Sequence, residues 1–406
     1  MGKKPDIPDL QSIYQNALSL HQQGETKQAA DLYQRVLEHV PDAAEVQYNL
    51  GLALYENEQF ADAIAAYNRA AELNPNDSDI FFNLGLACKM ARQFEAAASA
   101  YLQALELGGA DPDIFYNLGC CLQDAGAREQ ACLVYEQLLE IAPDHLSALN
   151  NLAYLVHLNK DFDYALELYT RVLALDPERE SAQHMHATLS GEGNDGPPPG
   201  YIRELFDRYS SYFEENLVDD LEYNTFCILR QAIEYQTSGN KRFQHGLDLG
   251  CGTGLAGETF RPVCERLTGI DLSKNMIDQA TAKELYDELH CTDIIEFLAQ
   301  NQCSYDLIIA ADVIPYLGNL DPLFAAAAKR TTPNALFCLS SEATEKPGWD
   351  LLLSGRYGHN PEYIGETAKK NGWQILERFP ANIRREHDSW IRGEIFVLER
   401  TAHCQH

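Results

Sequence analysis

Small and apolar residues recur through the first half of the chain with one fixed period. Ala29, Ala63, Ala97, Ala131 and Ala165 are spaced by 34 residues. Tyr33, Tyr67, Tyr101, Tyr135 and Tyr169 form a second series. Leu50, Leu84, Leu118 and Leu152 form a third, followed by Gly51, Gly85, Gly119 and Ala153. Pro41, Pro75, Pro143 and Pro177 keep the period, and Gly109 takes the slot between Pro75 and Pro143. Small residues let paired helices approach, the tyrosines fill the space between them, and proline ends the second helix of each pair. The pattern predicts five helix pairs over residues 10–179. A further helix over 178–189 is expected to cap their open end.

The second half has a different rhythm. Residues 190–200 are too rich in Gly and Pro for regular structure and read as a linker. Ile202, Leu205, Phe206, Tyr209, Tyr212 and Phe213 then follow helical spacing. From Gly246 onward, short apolar runs alternate with helical stretches. That order predicts a parallel sheet with helices on both faces. Strands are expected at 246–249, 266–270, leading into Cys291, from Tyr305, at 335–341, and finally at 373–379 and 394–399.

The turn after the first of these strands is Asp248-Leu249-Gly250-Cys251-Gly252-Thr253-Gly254-Leu255-Ala256-Gly257. Glycines there permit positive φ and a close approach to a ligand. Gly252 to Gly257 also fits G-x-G-x-x-G, a dinucleotide fingerprint that is weak alone. The acid two residues ahead of Gly250 separates the two possibilities. It would repel a pyrophosphate and attract an ammonium. Asp271, 23 residues after Asp248, stands at the end of the second strand, where an acid accepts ribose hydroxyls.

The periodic half resembles the tetratricopeptide repeat, a helix–turn–helix unit that stacks into a solenoid with a concave groove. The register D-L-G-C-G-T-G, the run Asp271-Leu272-Ser273-Lys274-Asn275-Met276, and Tyr305-Asp306-Leu307-Ile308 through Asp312-Val313-Ile314-Pro315-Tyr316 resemble motifs of class I S-adenosylmethionine-dependent methyltransferases. Together with Gly355-Arg356-Tyr357-Gly358-His359, the chain resembles a bacterial family of methyltransferases fused to tetratricopeptide repeats. The resemblance implies an all-α solenoid followed by a Rossmann-like α/β domain, with a seven-stranded sheet ending in an antiparallel hairpin. The corresponding bounds are 1–189, a linker at 190–200, and 201–406.

The resemblance also implies roles. S-adenosylmethionine is the expected cofactor. Asp248 would lie near its methionine amino group, Met276 beside the adenine, and Asp293 at the adenine amino group. Gly250, Cys251, Gly252, Gly254, Asp271, Leu272 and Ile294 complete that set. Tyr209 and Tyr212, on a lid helix, are expected over the methionine end. Asp312, Tyr316 and His359 would border the acceptor; a histidine titrates near neutral pH, so His359 is one candidate for a base there. Arg356 and Tyr357 would bind substrate. Asn360 with Pro361 reads as a helix start that leaves those three loop residues uncommitted. Arg384, Arg385 and His387 form a second, weaker cationic candidate ahead of the final strand.

One periodic series does not read as packing alone. Asn49, Asn83, Asn117 and Asn151 also recur every 34 residues. An amide ladder in the groove can hold an extended peptide; alternatively it satisfies carbonyls between neighbouring helices. Tyr48, Phe82 and Tyr116 stand beside it, and Lys89 and His157 are the nearest cations. Glu45, Glu56, Asp79, Asp113 and Asp124 favour a neutral or basic peptide.

Charge narrows the partners. Residues 1–190 hold 11 Lys/Arg against 28 Asp/Glu, and residues 191–406 hold 20 against 33, for a net of −30. A surface this acidic repels phosphate backbones, so nucleic acid is not expected as substrate. The Val313-Ile314-Pro315-Tyr316 stretch also lacks the D/N-P-P-Y of nucleobase amino methyltransferases. Eleven cysteines without regular spacing suit reduced thiols and a cytoplasmic setting. No metal site is expected; His184-Met185-His186 reads as helix surface. No signal peptide or membrane insertion is expected. Three functions remain open: methyl transfer to a protein presented by the repeats, methyl transfer to a small molecule, and a scaffold that binds cofactor without turnover.

Overall fold

The computed structural model describes residues 9–192, 196–209, 222–239, 241–386 and 389–401. The chain forms two compact units, divided between Pro177 and Glu178.

The first unit is five helix pairs. They are α1 (Leu10–Gln22) and α2 (Thr26–Leu37), α3 (Ala44–Glu56) and α4 (Phe60–Leu73), α5 (Ser78–Met90) and α6 (Phe94–Gly108), α7 (Pro112–Asp124) and α8 (Arg128–Ile141), and α9 (Leu146–Leu158) and α10 (Phe162–Leu175). The periodic alanines and tyrosines are buried between them. Gly51, Gly85 and Gly119 admit the rings of Tyr67, Tyr101 and Tyr135: a Cβ at Gly85 would stand 2.6 Å from Tyr101 Cε1. Within each pair the turn passes through a left-handed residue. These are Gly24, Glu58, Arg92, Gly126 and Lys160, with φ of 80°, 61°, 59°, 77° and 64°. The period of the turn therefore matches the period of the core. Only two of the five are glycine, so composition concealed this series.

The second unit opens with α11 (Glu180–Ser190), α12 (Pro199–Tyr209) and α13 (Thr225–Gln236). α11 was expected to cap the solenoid. It groups instead with the second unit, where Ala182, His184 and Met185 are buried. His184 is thus core rather than surface: its Nε2 lies 2.7 Å from the Gly355 carbonyl oxygen and its ring 4.3 Å from that of Tyr201.

The sheet follows. Its strands are β1 (Phe243–Leu249), β2 (Cys264–Asp271), β3 (Glu288–Cys291), β4 (Tyr305–Ala310), β5 (Thr331–Ala343), β6 (Trp349–Leu351), β7 (Tyr357–His359), β8 (Trp373–Glu386) and β9 (Ser389–Arg400). Strands β3, β2, β1, β4 and β5 lie parallel in that order, β9 pairs antiparallel with β5, and β8 with β9. Side chains alternate between two cores. Tyr305, Ile308 and Ala310 join one cluster, Leu307 and Ile309 the other. Helices α16 (Ile294–Gln300), α17 (Asp321–Lys329) and α18 (Pro361–Lys370) cover the first; α13 and α14 (Leu255–Phe260) cover the second. α15 (Lys274–Ala282) follows β2.

The described sheet has nine strands, where seven were expected. The two additions are β6 and β7. Glu342 pairs with Gly358 on one side and Gly393 on the other, so β7 and β9 flank β5 on opposite edges. β7 lies on the β4 edge, past Leu339, where β4 pairing stops. Strands of only three residues each show no periodicity, so this hairpin is indistinguishable from a loop in the sequence. β8 also runs longer than expected, so Arg384 and Arg385 lie within a strand and not ahead of one. His387 falls outside the described residues.

Candidate active site

At the end of β1, Gly250, Gly252 and Gly254 take φ of 65°, 52° and 97°. A Cβ on Gly250 would collide with the Val313 side chain from beyond β4. The Cys251 N–H donates to the Ile270 carbonyl at 2.8 Å and stitches the turn to β2. Burial pushes the Cys251 thiol well above its ordinary range.

Asp248 is 1% exposed. Its Oδ2 accepts from the Tyr286 hydroxyl at 2.7 Å, and its Oδ1 has no hydrogen-bond partner. Burial raises its proton affinity to a pKa of about 7, with the Tyr286 hydrogen bond opposing. Tyr286 was absent from every motif read in the sequence. Its ring occupies the space that a side chain on Gly257 would need, 2.6 Å from that Cβ position. The last glycine of G-x-G-x-x-G is therefore explained by a tyrosine. The dinucleotide reading, which assigns it to close helix–strand packing, is not needed.

Asp271 ends β2. One oxygen accepts from Gly252 N–H and the other from Ser273 N–H, each at 2.9 Å. Burial raises its proton affinity, and these backbone N–H groups oppose that. Asp293 follows β3 and caps α16, its Oδ1 accepting from Ile295 and Glu296 N–H at 2.8 and 3.0 Å. Three carboxylates thus stand at the same end of three adjacent strands. Met276 is fully buried, and its N–H donates to the Ser273 hydroxyl oxygen, which caps α15. Leu272 and Ile294, each next to one of these acids, are half-buried.

α12 reaches this rim. Asp207 Oδ1 lies 2.5 Å from Ser273 Oγ, and the Phe206 ring meets Tyr316 edge-on with centroids 5.1 Å apart. The contacts fall on Phe206, which the sequence marks only as part of the helix's apolar spacing, and on Asp207, which carries no signal there. Tyr209 is the last residue of α12, with its side chain outside the described set, and Tyr212 lies outside the described residues altogether.

Beyond β4 the backbone of Asp312 takes φ 58°, and its N–H donates to Ser340 Oγ at 3.0 Å. Its Oδ2 accepts from Arg384 Nη1 at 2.5 Å, while Arg384 Nη2 donates to Glu342 Oε1 at 2.7 Å. Arg356 Nε lies 2.8 Å from the same Glu342 oxygen. Arg384 and Glu342 are each 3% exposed. Two carboxylates and two guanidiniums therefore form a buried chain of alternating charge. Arg356 and Arg384, read in the sequence as available cations, are both paired within the protein. Burial raises the phenols of Tyr316 and Tyr223 above their ordinary range, and the charges of Asp312 and Arg384 act on both.

His359 does not sit as a base would. It is fully buried, and its Nε2 lies 2.9 Å from the Gly318 carbonyl oxygen. Burial depresses it to a pKa of about 4. It braces the loop that follows Tyr316, and a neutral, enclosed imidazole with one nitrogen on a carbonyl is a poor proton acceptor. Tyr357 is likewise fully buried.

In the first unit, three of the four periodic asparagines donate to a tyrosine hydroxyl on a neighbouring helix. Asn49 donates to Tyr14 at 2.9 Å, and Asn83 to Tyr48 at 3.1 Å. Asn151 donates to Tyr135 at 3.1 Å. Asn117 donates to the Asp113 carbonyl on its own helix, as Asn83 also does to the Asp79 carbonyl, and the position one repeat back from Asn117 is Phe82, which has no hydroxyl. Lys89 pairs with Asp124 at 3.5 Å, and His157 is buried.

The tetratricopeptide-repeat model matches residues 14–78, 52–113 and 116–180, and a methyltransferase-domain model matches residues 247–337. The chain carries tetratricopeptide repeats followed by a methyltransferase domain. It is 22% identical over 166 residues to the ubiquinone biosynthesis O-methyltransferase of Bartonella quintana, spanning 36% of this chain and 67% of that protein. It is 30% identical over 95 residues to the 18S rRNA (guanine-N(7))-methyltransferase of Bos taurus, spanning 23% of this chain and 32% of that protein. Among solved structures, the N-methyltransferase NodS from Bradyrhizobium japonicum, in complex with S-adenosyl-L-homocysteine, matches with TM-score 0.40 and 20% identity over 50% of this chain and 99% of its own. The stretch matched by the methyltransferase-domain model begins in the Asp248 strand and includes the Asp271, Asp293 and Asp312 turns. Among the described residues, no helix is long and apolar enough to cross a membrane.

Proposed function

We propose that the methyltransferase domain binds S-adenosylmethionine and transfers its methyl group to an acceptor, while the repeats hold a protein or peptide partner. The observation that carries the cofactor reading is Asp248 Oδ1, buried beside a glycine turn and lacking a partner. An ammonium satisfies that oxygen, and a pyrophosphate does not. In this reading Gly250, Cys251, Gly252 and Gly254 let the nucleoside approach the backbone. Asp271 takes the ribose hydroxyls, Leu272, Met276, Asp293 and Ile294 enclose the adenine, and α12 covers the rim with Phe206 and Asp207.

Bound there, S-adenosylmethionine supplies a methyl group on a sulfonium, open to in-line displacement. The chain's own residues align the acceptor and keep water out. Asp312 and Tyr316 border the acceptor. Asp312 Oδ1 is buried without a partner and accepts an N–H or O–H of the incoming group. Arg384 and Arg356, through Glu342, hold Asp312 in place. A net charge of −30 favours a protein or small-molecule acceptor over nucleic acid.

Calorimetric titration of the full chain with S-adenosylmethionine and, separately, NAD tests the cofactor. Tight binding of the first alone is expected; binding of NAD alone overturns the reading. Label from methyl-labelled cofactor, followed into protein or small molecules of a cell extract, tests the acceptor class. Removal of residues 1–177 tests the repeats, and unchanged transfer to the labelled acceptor removes them from delivery. A scaffold that binds cofactor without turnover is the second reading. The burial of His359 favours it, since the candidate base is enclosed. Label transferred to any acceptor excludes it.

A further inference from the structure

Tyr286 stands in the turn between α15 and β3, and three glycines clear its path. A Cβ on Gly257 would lie 2.6 Å from Tyr286 Cζ, one on Gly269 2.9 Å from Cδ1, and one on Gly254 3.3 Å from Cε2. The ring crosses that slot and brings its hydroxyl to Asp248 Oδ2 at 2.7 Å. The other oxygen of the same carboxylate is buried and has no partner. A phenylalanine would fill the slot equally well. The hydroxyl is therefore explained by its polar partners, the Asp248 carboxylate and the Gly257 N–H, and not by packing.

We propose that Tyr286 is a positioning residue whose hydroxyl holds one oxygen of Asp248 and so turns the other toward the amino-acid ammonium of S-adenosylmethionine. The proposal rests on the cofactor reading above. A hydrogen bond to one oxygen fixes rotation of the carboxylate about its Cβ–Cγ bond and leaves the second oxygen as the acceptor.

The same hydroxyl stabilises the charged form. The groups facing Asp248 are Tyr286 itself, Asp271 at the end of β2, Cys251 in the turn, Cys264 on β2, Cys338 on β5 and Tyr223 ahead of α13. Among these described groups there is no cation. Of those that act on the carboxylate, Tyr286 alone favours ionisation; burial and Asp271 oppose it. Loss of the hydroxyl leaves a carboxyl group that takes up a proton at higher pH and no longer attracts an ammonium.

Two probes separate this role from packing. S-adenosylhomocysteine carries the amino-acid end, and 5′-methylthioadenosine keeps the nucleoside and thioether without it. Both are titrated into the full chain by calorimetry. In Tyr286→Phe, affinity for S-adenosylhomocysteine is expected to fall at least about tenfold at about pH 8, and further at about pH 6. Affinity for 5′-methylthioadenosine is expected to change less than about twofold, since nothing it offers meets Asp248. In an Asp248→Asn background, Tyr286→Phe is expected to add no further loss. Equal loss for both probes assigns Tyr286 to packing and overturns the proposal. Unchanged binding of both by Tyr286→Phe, where the wild-type chain binds S-adenosylhomocysteine, overturns the proposal and leaves the cofactor reading standing. Failure of the wild-type chain to bind either probe overturns the cofactor reading and the proposal together.

Discussion

Arg384 reaches Asp312 across the sheet, its Nη1 2.5 Å from the carboxylate Oδ2, though the two residues are 72 positions apart in the chain. The guanidinium also holds Glu342, and both partners lie in the segments beyond β4 and at the end of β5. Removal of one member of such a buried set strands a charge. Arg384→Met is expected to destabilise the chain by about 3–5 kcal/mol. Urea unfolding measures this, and a loss below about 1 kcal/mol would contradict the pairing. Arg384→Lys restores the charge without the fork and is expected to recover only part of the stability.

Asp248 sets a pH dependence of its own. Its carboxyl is raised from 3.8 to about 7 in the folded chain by burial. Between those values the folded state holds a proton that the unfolded state releases. The contribution to stability is therefore greatest below about 4 and is lost as pH rises toward 7. Asp248→Asn is expected to remove that slope from the unliganded protein, as followed by urea unfolding at several pH values. Binding of S-adenosylhomocysteine at about pH 6 is expected to release close to one proton, because the ammonium meets the ionised form. Calorimetry in buffers of different ionisation enthalpy reads this, and Asp248→Asn is expected to abolish it.

His359 gives the opposite slope. Its imidazole is lowered from 6.5 to about 4 by burial. The unfolded chain then binds the extra proton between those values, so stability falls as pH drops through that window. His359→Gln is expected to flatten the acid side of the stability profile. If His359 were the base, the same substitution would abolish methyl transfer as well.

Gly85 faces Tyr101 with no room for a methyl group, a Cβ there standing 2.6 Å from Cε1. Gly85→Ala is expected to cost about 1–3 kcal/mol through overpacking. Thermal unfolding of the full chain tests this. Gly24→Ala, in a turn with φ 80° and nothing within 4 Å, is expected to act through backbone strain alone and to cost less than about 2 kcal/mol.

Much of this was legible in one dimension. A 34-residue period in Ala, Tyr, Leu and Gly repeats one packing problem, so each solution is written near its neighbour. The glycine turn and the acids at successive strand ends are local too, because a strand, a turn and a helix start fall within a few residues. By themselves these determined the two kinds of architecture, the order of the parallel strands along the chain and the positions of Asp248, Asp271 and Asp293.

What remained was decided by tertiary structure. Arg356, Arg384 and His359 read as available cations or a base, and burial against Glu342, Asp312 and Gly318 committed all three. Tyr286 carried no signal, because its meaning depends on Asp248, 38 positions away, and on glycines belonging to α14 and β2. The β6–β7 hairpin was too short to show a periodicity, and pairing with the overhanging end of β5 made it a strand. A sequence records which chemistry is present, but desolvation and the partner of each charge arise only when distant segments pack together.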